Sequence, residues 1–375
     1  MDAKYIEDNL LFMCEVGSTA YGTNIEGSDI DLGGVCLPSK KVVLGFDTFE
    51  QKDKWGNDAN GEKIDKVIYS LPKAVRLILE NNPNMLDYLW IPERCIKHIT
   101  PEWEQLMSHR ESLLSKSSYF RFQGYAVSQI ERVKTHKRYI EYGANGPGKP
   151  NRSDYGLPET SLFPQSVYDN ALYLGSEYVA EEDQNQFYLD TSDIVQSQAA
   201  LVFRKYVEPK QYAEAMKYFK DTTMTFIRRI STMKGDFLKD EYQEMAVKEI
   251  AYNNDLNDYR RYAKWNKGRN PKRKLLEAKC GYDAKHIQHA CRLTAMSNEI
   301  LSGKGVLVDR TNIDAPYLKD IRQGNVAYEE VCTYIDGLVK EGDELFKTTT
   351  IQKKADRELA ENLTMDILEK HIRNE

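Results

Sequence analysis

Residues 17–34 read GSTAYGTNIEGSDIDLGG. Two aspartates, Asp29 and Asp31, stand one residue apart, with ten residues between them and a preceding Gly17-Ser18 pair. Like charges this close repel unless something positive lies between them. The flanks indicate the setting. LLFMCEVGS is a short apolar run ending in a turn, as a buried strand does, and SDIDLGGVCL alternates charged and apolar residues at strand period. At i and i+2 of that second strand, Asp29 and Asp31 are expected to share one face, with Ile30 and Leu32 turned to the core. At the tight turn, Gly17 and Ser18 can offer backbone N–H groups and a hydroxyl to phosphate oxygens. Paired carboxylates make a cradle for Mg²⁺, which takes few protein carboxylates and completes its shell with water and substrate phosphates. Phosphate-holding amides beside metal-holding carboxylates suit nucleotidyl or phosphoryl transfer, where two metals clamp the attacking and leaving oxygens. An Asp-x-Asp alone is common in polar turns; the Gly-Ser ahead of it and the alternation around both set this one apart.

The chain of 375 residues has room for one large or two ordinary domains. Its 41% hydrophobic and 29% charged residues are an ordinary globular balance. A net charge of −6 argues against a wholly basic nucleic-acid coat but leaves room for a local basic groove. No run of about 18 apolar residues suggests a membrane span, and the N-terminus does not read as a signal peptide. The six cysteines form no C-x-x-C pair, so a reduced, cytoplasmic protein is expected, without a cysteine zinc site.

Along the first hundred residues the pattern is mixed. KKVVLG is another short apolar run, KWGNDANGEK a Gly/Asn-rich turn, and DKVIYSL alternates again, which together suggest a hairpin. In SLPKAVRLILENNPNMLDYLW, Ala74, Val75, Ile78 and Leu79 recur at helical spacing, with Ser70 placed as N-cap and Pro72 in the first turn. Asn82-Pro83 should end that helix and start a short one. Beyond about residue 100 strand signals fade. SYFRFQGYAVSQIERVKTHKRYIEYG reads as one long amphipathic helix, and helical patterns recur over roughly 168–182, 208–232, 238–266, 283–302, 326–346 and 354–372. The expected fold is α+β: a small mixed-sheet catalytic domain over 1–105, then a larger all-helical domain over 106–375 that would bind acceptor or nucleotide.

Gly17-Ser18 followed by Asp29-Ile30-Asp31 resembles the G-S…D-h-D signature of the DNA polymerase β-like nucleotidyltransferase superfamily. The fuller GSTAYGTNIEGSDIDLGGV is similar to one branch, predicted nucleotidyltransferases that include an RNA-ligase-associated group. SLPKAVRLILENNPNMLDYLW resembles that branch's helix and its N-P-x-x-L-[ED] turn. RNPKRKLLEAKCGYDAKHIQHACRL and LKDIRQG resemble its C-terminal helical part, whereas roughly 150–255 match nothing in it. The resemblance implies a third carboxylate on a later strand, which helps bind the catalytic metal and deprotonate the attacking hydroxyl. Its position matches Asp65, with Val67 and Tyr69 on the same strand face and Glu62 as competitor. Thr19 and Tyr21 lie in the phosphate loop, Tyr21 as a packing residue or a substrate contact.

Lys285, His286, His289 and Arg292 fall on a helix starting near Asp283, with the last three at i, i+3 and i+6 on one face. The two histidines could ligate metal, but no third ligand is evident nearby; a polar packing face, or contact with nucleotide or acceptor phosphates, fits better. RRYAKWNKGRNPKRK, residues 260–274, holds eight Lys/Arg and no acid. Arg269 and Arg273 with the interleaved Trp265 suit a nucleic-acid backbone and a stacked base, although such runs are often solvated helix ends. Lys134, Lys137, Arg138, Lys149 and Arg152 could extend that groove. The expected activity is transfer of an NMP from an NTP such as ATP to an acceptor hydroxyl with two Mg²⁺ (or Mn²⁺), pyrophosphate leaving. An RNA end or tRNA is the first choice of acceptor, in RNA repair or modification; a protein or small molecule stays open. Two other readings are a silent nucleotidyltransferase fold kept as an RNA- or partner-binding module, and a phosphohydrolase.

Overall fold

In the computed structural model, the described residues are 1–56, 65–143, 146–161, 163, 179–191, 205–206, 223–232 and 240–375. They contain a five-stranded mixed sheet: β1 (Leu10–Val16), β2 (Asp31–Cys36), β3 (Gln51–Lys52), β4 (Lys66–Ser70) and β5 (Ile96–Ile99). The order is β3-β4-β2-β1-β5; β2 and β4 run parallel and the other neighbours antiparallel. β3 pairs with β4, as the alternation in DKVIYSL suggested, although turn residues 57–64 lie outside the described set. β5 had no counterpart in the sequence reading. Its four residues, IKHI, include exposed Lys97 and His98, too short and too polar for a periodicity signal.

Early helices frame the sheet: α1 (Ala3–Asp8), α2 (Lys40–Leu44), α3 (Leu71–Leu79), α4 (Pro83–Leu86), α5 (Pro101–Ser108), α6 (Arg110–Leu113) and the long α7 (Ser118–Glu141). KKVVLG is therefore helical. Ser70 does cap α3, its Oγ accepting from the Lys73 N–H, with Pro72 in the first turn. Leu71, Ala74, Val75 and Ile78 make the buried stripe. Asn82 caps α4 at the Asn-Pro break.

The helices that follow are α8 (Gln184–Thr191), α9 (Thr223–Thr232), α10 (Asp240–Lys267), α11 (Pro271–Cys280), α12 (Ala284–Leu301), α13 (Ala315–Arg322), α14 (Tyr328–Thr348) and α15 (Arg357–Asn374). Most of the anticipated 168–182 segment, and residues 208–222, lie outside the described residues. Residues Met1–Glu141 and Asn270–Glu375 form one compact unit, and Tyr142–Arg269 another. In the first unit a large apolar core gathers Phe12, Cys14 and Val35 from the sheet with Trp103, Phe122, Ile287, Leu293 and Met296 from helices. The other sheet face buries only a small cluster around Ile6, Cys36 and Ile68. α12 is the central helix of this unit, buried at most positions between Ala284 and Leu301. The last helix, α15, returns to α1, where Tyr5 Oη hydrogen-bonds His371 Nε2 at 3.1 Å.

Candidate active site

β1 ends at Val16, which pairs across the ladder with Asp31, the first residue of β2. The chain leaves β1 through Gly17 at φ +66°, a left-handed conformation that glycine adopts without steric cost. A Cβ there would lie 3.1 Å from Asp31 Oδ2. The absent side chain thus lets the carboxylate sit against the turn. Residues 17–23 coil on themselves, with the N–H groups of Tyr21, Gly22 and Thr23 donating to the carbonyls of Gly17, Thr19 and Ser18. On the other side of β2, Leu32 pairs with Lys66 and its N–H donates to the Asp65 carbonyl at 2.9 Å. Asp31 and Asp65 therefore stand at the heads of two neighbouring parallel strands, with Val67 and Tyr69 following Asp65 at alternate positions.

β2 begins only at Asp31, so Asp29 lies in the connection before it, and Ile30 is 62% exposed rather than facing the core. Strand alternation cannot orient residues ahead of the first ladder bond. Asp29 is exposed and Asp31 half-buried. Glu62 lies outside the described residues.

The turn over residues 17–23 is held from behind. Arg94 donates to the carbonyls of Thr19 and Ala20, at 3.5 and 3.2 Å, and pairs with Asp309. The Arg310 N–H donates to the Tyr21 carbonyl at 3.1 Å, while its fully buried guanidinium binds Glu299 and Asp314. Tyr21 is a packing residue: its buried phenol donates to Asp87 Oδ2, and the Arg292 guanidinium lies 3.6 Å from its ring centroid. Burial raises the Asp87 carboxyl to about 6, against the opposing pull of Arg292 and the Tyr21 hydrogen bond. The sequence assigned no role to Asp87, although Asp87 closes the N-P-x-x-L-[ED] turn, nor to Arg94, whose contacts are tertiary.

α12 opens with Asp283 as N-cap. Lys285, in its first turn, has its pKa lowered by desolvation and then by the guanidinium groups of Arg273 and Arg322, while Asp31 and Asp29 oppose that shift. A set of cations thus shares the electrostatic field of the aspartate pair. His289 is pushed down to about 2, by burial first and the Arg292 charge second, so its imidazole is neutral. Arg292, 2% exposed, reaches His289 Nε2 at 3.5 Å and the Met296 sulfur at 2.9 Å. His286 parts from the other two: its Nδ1 contacts Gln129 Oε1 at 2.7 Å. Burial lowers it to about 4, with Asp283 opposing. His136 on α7 meets Asp283 Oδ2 at 2.6 Å, completing a His136–Asp283–His286 group. The separation of 147 positions between His136 and Asp283 hid that group from the sequence.

The basic run divides between α10 and α11, with Asn270 capping the latter. Trp265 carries the Arg269 guanidinium 4.7 Å from its ring centroid and Tyr262 against it at 5.9 Å. Of the cations proposed to extend a groove, Lys134 pairs with Glu131, Lys137 with Glu141, and Arg152 bidentately with buried Glu249.

Residues 3–142 match the family described as RNA repair pathway DNA polymerase beta family. That match supports a polymerase β-like nucleotidyltransferase branch and, in general terms, nucleotidyltransferase activity, for which divalent metals are typical. Among curated proteins, one from Enterobacteria phage T4 is 22% identical over 335 residues, 86% of this chain and 85% of its own length. It is described as an uncharacterized 38.9 kDa protein in the nrdC–mobD intergenic region. No solved structure matches. Among the described residues, no helix is long and apolar enough to cross a membrane.

Proposed function

We propose that the protein transfers a nucleoside monophosphate from an NTP to an acceptor hydroxyl. The observation that carries this reading is the seating of Asp31 against a side-chain-free turn. Gly17 leaves space where a Cβ would press on the Asp31 carboxylate, beside a second strand headed by Asp65. Oxygen-only donors at Asp29, Asp31 and Asp65 fit Mg²⁺ or Mn²⁺, two ions in this reading. Such ions, when bound, would neutralise charge developing on the phosphoryl oxygens.

The chain's own groups would do the rest. Ser18, with the backbone at Gly17, holds the β and γ phosphates, since the N–H groups of Tyr21, Gly22 and Thr23 are already spent inside the turn. Asp65, at the exposed head of β4, takes the proton from the acceptor hydroxyl as its oxygen attacks the α-phosphorus. The bond from the α-phosphorus to the αβ-bridging oxygen breaks, and pyrophosphate leaves. Lys285, with Arg273 and Arg322 around it, supplies positive charge to the phosphates. Catalysis falls to residues 1–105 and recognition to the helical residues beyond. His289 and Arg292 back the loop, and Arg269 and Trp265 offer a stacked cation and ring to nucleic acid. The match to an RNA repair family supports an RNA end as acceptor.

The test is incubation with each labelled NTP and Mg²⁺ or Mn²⁺, offering tRNA, short RNA and the protein itself as acceptors. RNA labelled with release of pyrophosphate is the expected result; label on the protein alone would replace RNA with a protein hydroxyl.

A further inference from the structure

Three side chains away from the carboxylates at the head of the sheet form a second group with a different donor chemistry. Asp283 caps α12 with Oδ1, which accepts from the His286 N–H at 3.2 Å. Its other oxygen, Oδ2, lies 2.6 Å from His136 Nδ1 and 3.8 Å from His286 Nε2. One donor atom from each of the three residues lies within 4.8 Å of the others. The Asp283 side chain is 2% exposed, while those of His136 and His286 are 15% and 25% exposed, so small solutes can reach the imidazoles.

The remaining ring nitrogen of His286 is also accounted for. Its Nδ1 lies 2.7 Å from Gln129 Oε1, which can only accept. The proton is therefore on Nδ1, and the Nε2 lone pair is available on the side where Asp283 Oδ2 lies. A ligating histidine is commonly held this way, its other N–H fixed by an oxygen of the outer shell. Donor atoms around a tetrahedral ion with bonds of roughly 2.0–2.2 Å stand about 3.3–3.5 Å apart. The observed 2.6 and 3.8 Å separations bracket that spacing.

We infer that His136, Asp283 and His286 bind one divalent transition metal, best matched by Zn²⁺, in a site separate from the catalytic carboxylates. Two imidazoles and one carboxylate suit Zn²⁺ and Co²⁺, whereas Mg²⁺ prefers oxygen alone. The ion displaces the proton shared by His136 Nδ1 and Asp283 Oδ2 and takes His286 Nε2 as third ligand, with solvent in the fourth position. It ties α7 to the first turn of α12, the turn that carries Lys285. This inference does not depend on the transfer reaction proposed above.

The test uses the full chain carrying Asp29→Ala, Asp31→Ala and Asp65→Ala, freed of metal, so that the catalytic carboxylates contribute nothing. Co²⁺ titration should develop intense visible d–d bands that saturate at one equivalent and that Zn²⁺, but not millimolar Mg²⁺, abolishes. Adding His286→Gln should remove the bands. A second readout needs no histidine variant: one equivalent of Zn²⁺ in excess Mg²⁺ should raise the melting temperature of the carboxylate-free chain. Absence of a saturable band and of a Zn²⁺ shift in that chain would overturn the inference, as would bands that persist in a folded His286→Gln variant.

Discussion

Replacing Gly17 with alanine separates backbone strain from active-site geometry. At φ +66° an L-residue pays about 1–2 kcal/mol for the left-handed conformation. Alanine recovers about 0.4–1 kcal/mol of that by restricting the unfolded chain. The net stability loss is then about 1 kcal/mol. The new Cβ would also stand 3.1 Å from Asp31 Oδ2, closer than ordinary van der Waals contact, so the carboxylate must yield by a few tenths of an ångström. Misplacement on the ångström scale can cost about 10²-fold in rate. Gly303 supplies the control: its φ is +79°, it lies beyond the C-terminal end of α12, and nothing stands within 4 Å of a built Cβ. Denaturant melts should give Gly17→Ala and Gly303→Ala similar losses. Single-turnover nucleotidyl transfer should fall by about 10–100-fold in Gly17→Ala and stay near wild type in Gly303→Ala. Equal activities in the two variants, at equal stability, would refute the claim that this glycine exists to seat Asp31.

Asp87 makes a pH prediction with a definite sign. Its folded carboxyl titrates at about 6 against 3.8 for an ordinary aspartate, so between those values the folded state holds a proton that the unfolded state has lost. Stability from this group therefore falls as pH rises through that window, by a few kcal/mol at most, and Asp87→Asn should flatten that part of the profile in urea melts from pH 4 to 7. Arg310→Met leaves Glu299 and Asp314 facing a fully buried vacancy of charge, which should cost about 3–5 kcal/mol by equilibrium unfolding; a loss under 1 kcal/mol would mean that solvent relieves the two carboxylates. Lys285→Ala should raise the KM for NTP several-fold and weaken its salt dependence while leaving the melting temperature within a few degrees, because it removes a desolvated cation repelled by Arg273 and Arg322. An unchanged KM would remove Lys285 from the phosphate site.

The parts of this molecule that were legible in the sequence are those encoded locally. The capped, amphipathic α3, the long α7, and α10, α12, α14 and α15 repeat apolar residues over enough turns to stand out. Gly17-Ser18 and the two aspartates stand out as a short pattern, and the structure places it between β1 and the start of β2. What was hidden depends on residues far apart in the chain. β5 is four residues long and half polar, so only its pairing with β1 makes it a strand. Ile30 looked like a core residue because the alternation began at Ser28, ahead of a strand that starts at Asp31. The approach of His136 to Asp283 required α7 and α12 to be packed side by side. The return of residues 270–375 to the unit containing the sheet leaves no local mark either, because it is made by contacts such as Tyr5 with His371.

The proposed transfer reaction requires Asp29 and Asp31 to act together in one metal-dependent site. The measurement that addresses it most directly is NMP transfer with pyrophosphate release, comparing wild type with Asp29→Ala plus Asp31→Ala. The variant's fold is checked by its unchanged melting temperature in the absence of divalent metal. Wild type should label an acceptor in the presence of Mg²⁺ or Mn²⁺, and the double variant should fall to background. Equal labelling by both proteins, or no transfer by wild type to any acceptor with any NTP, would contradict the account.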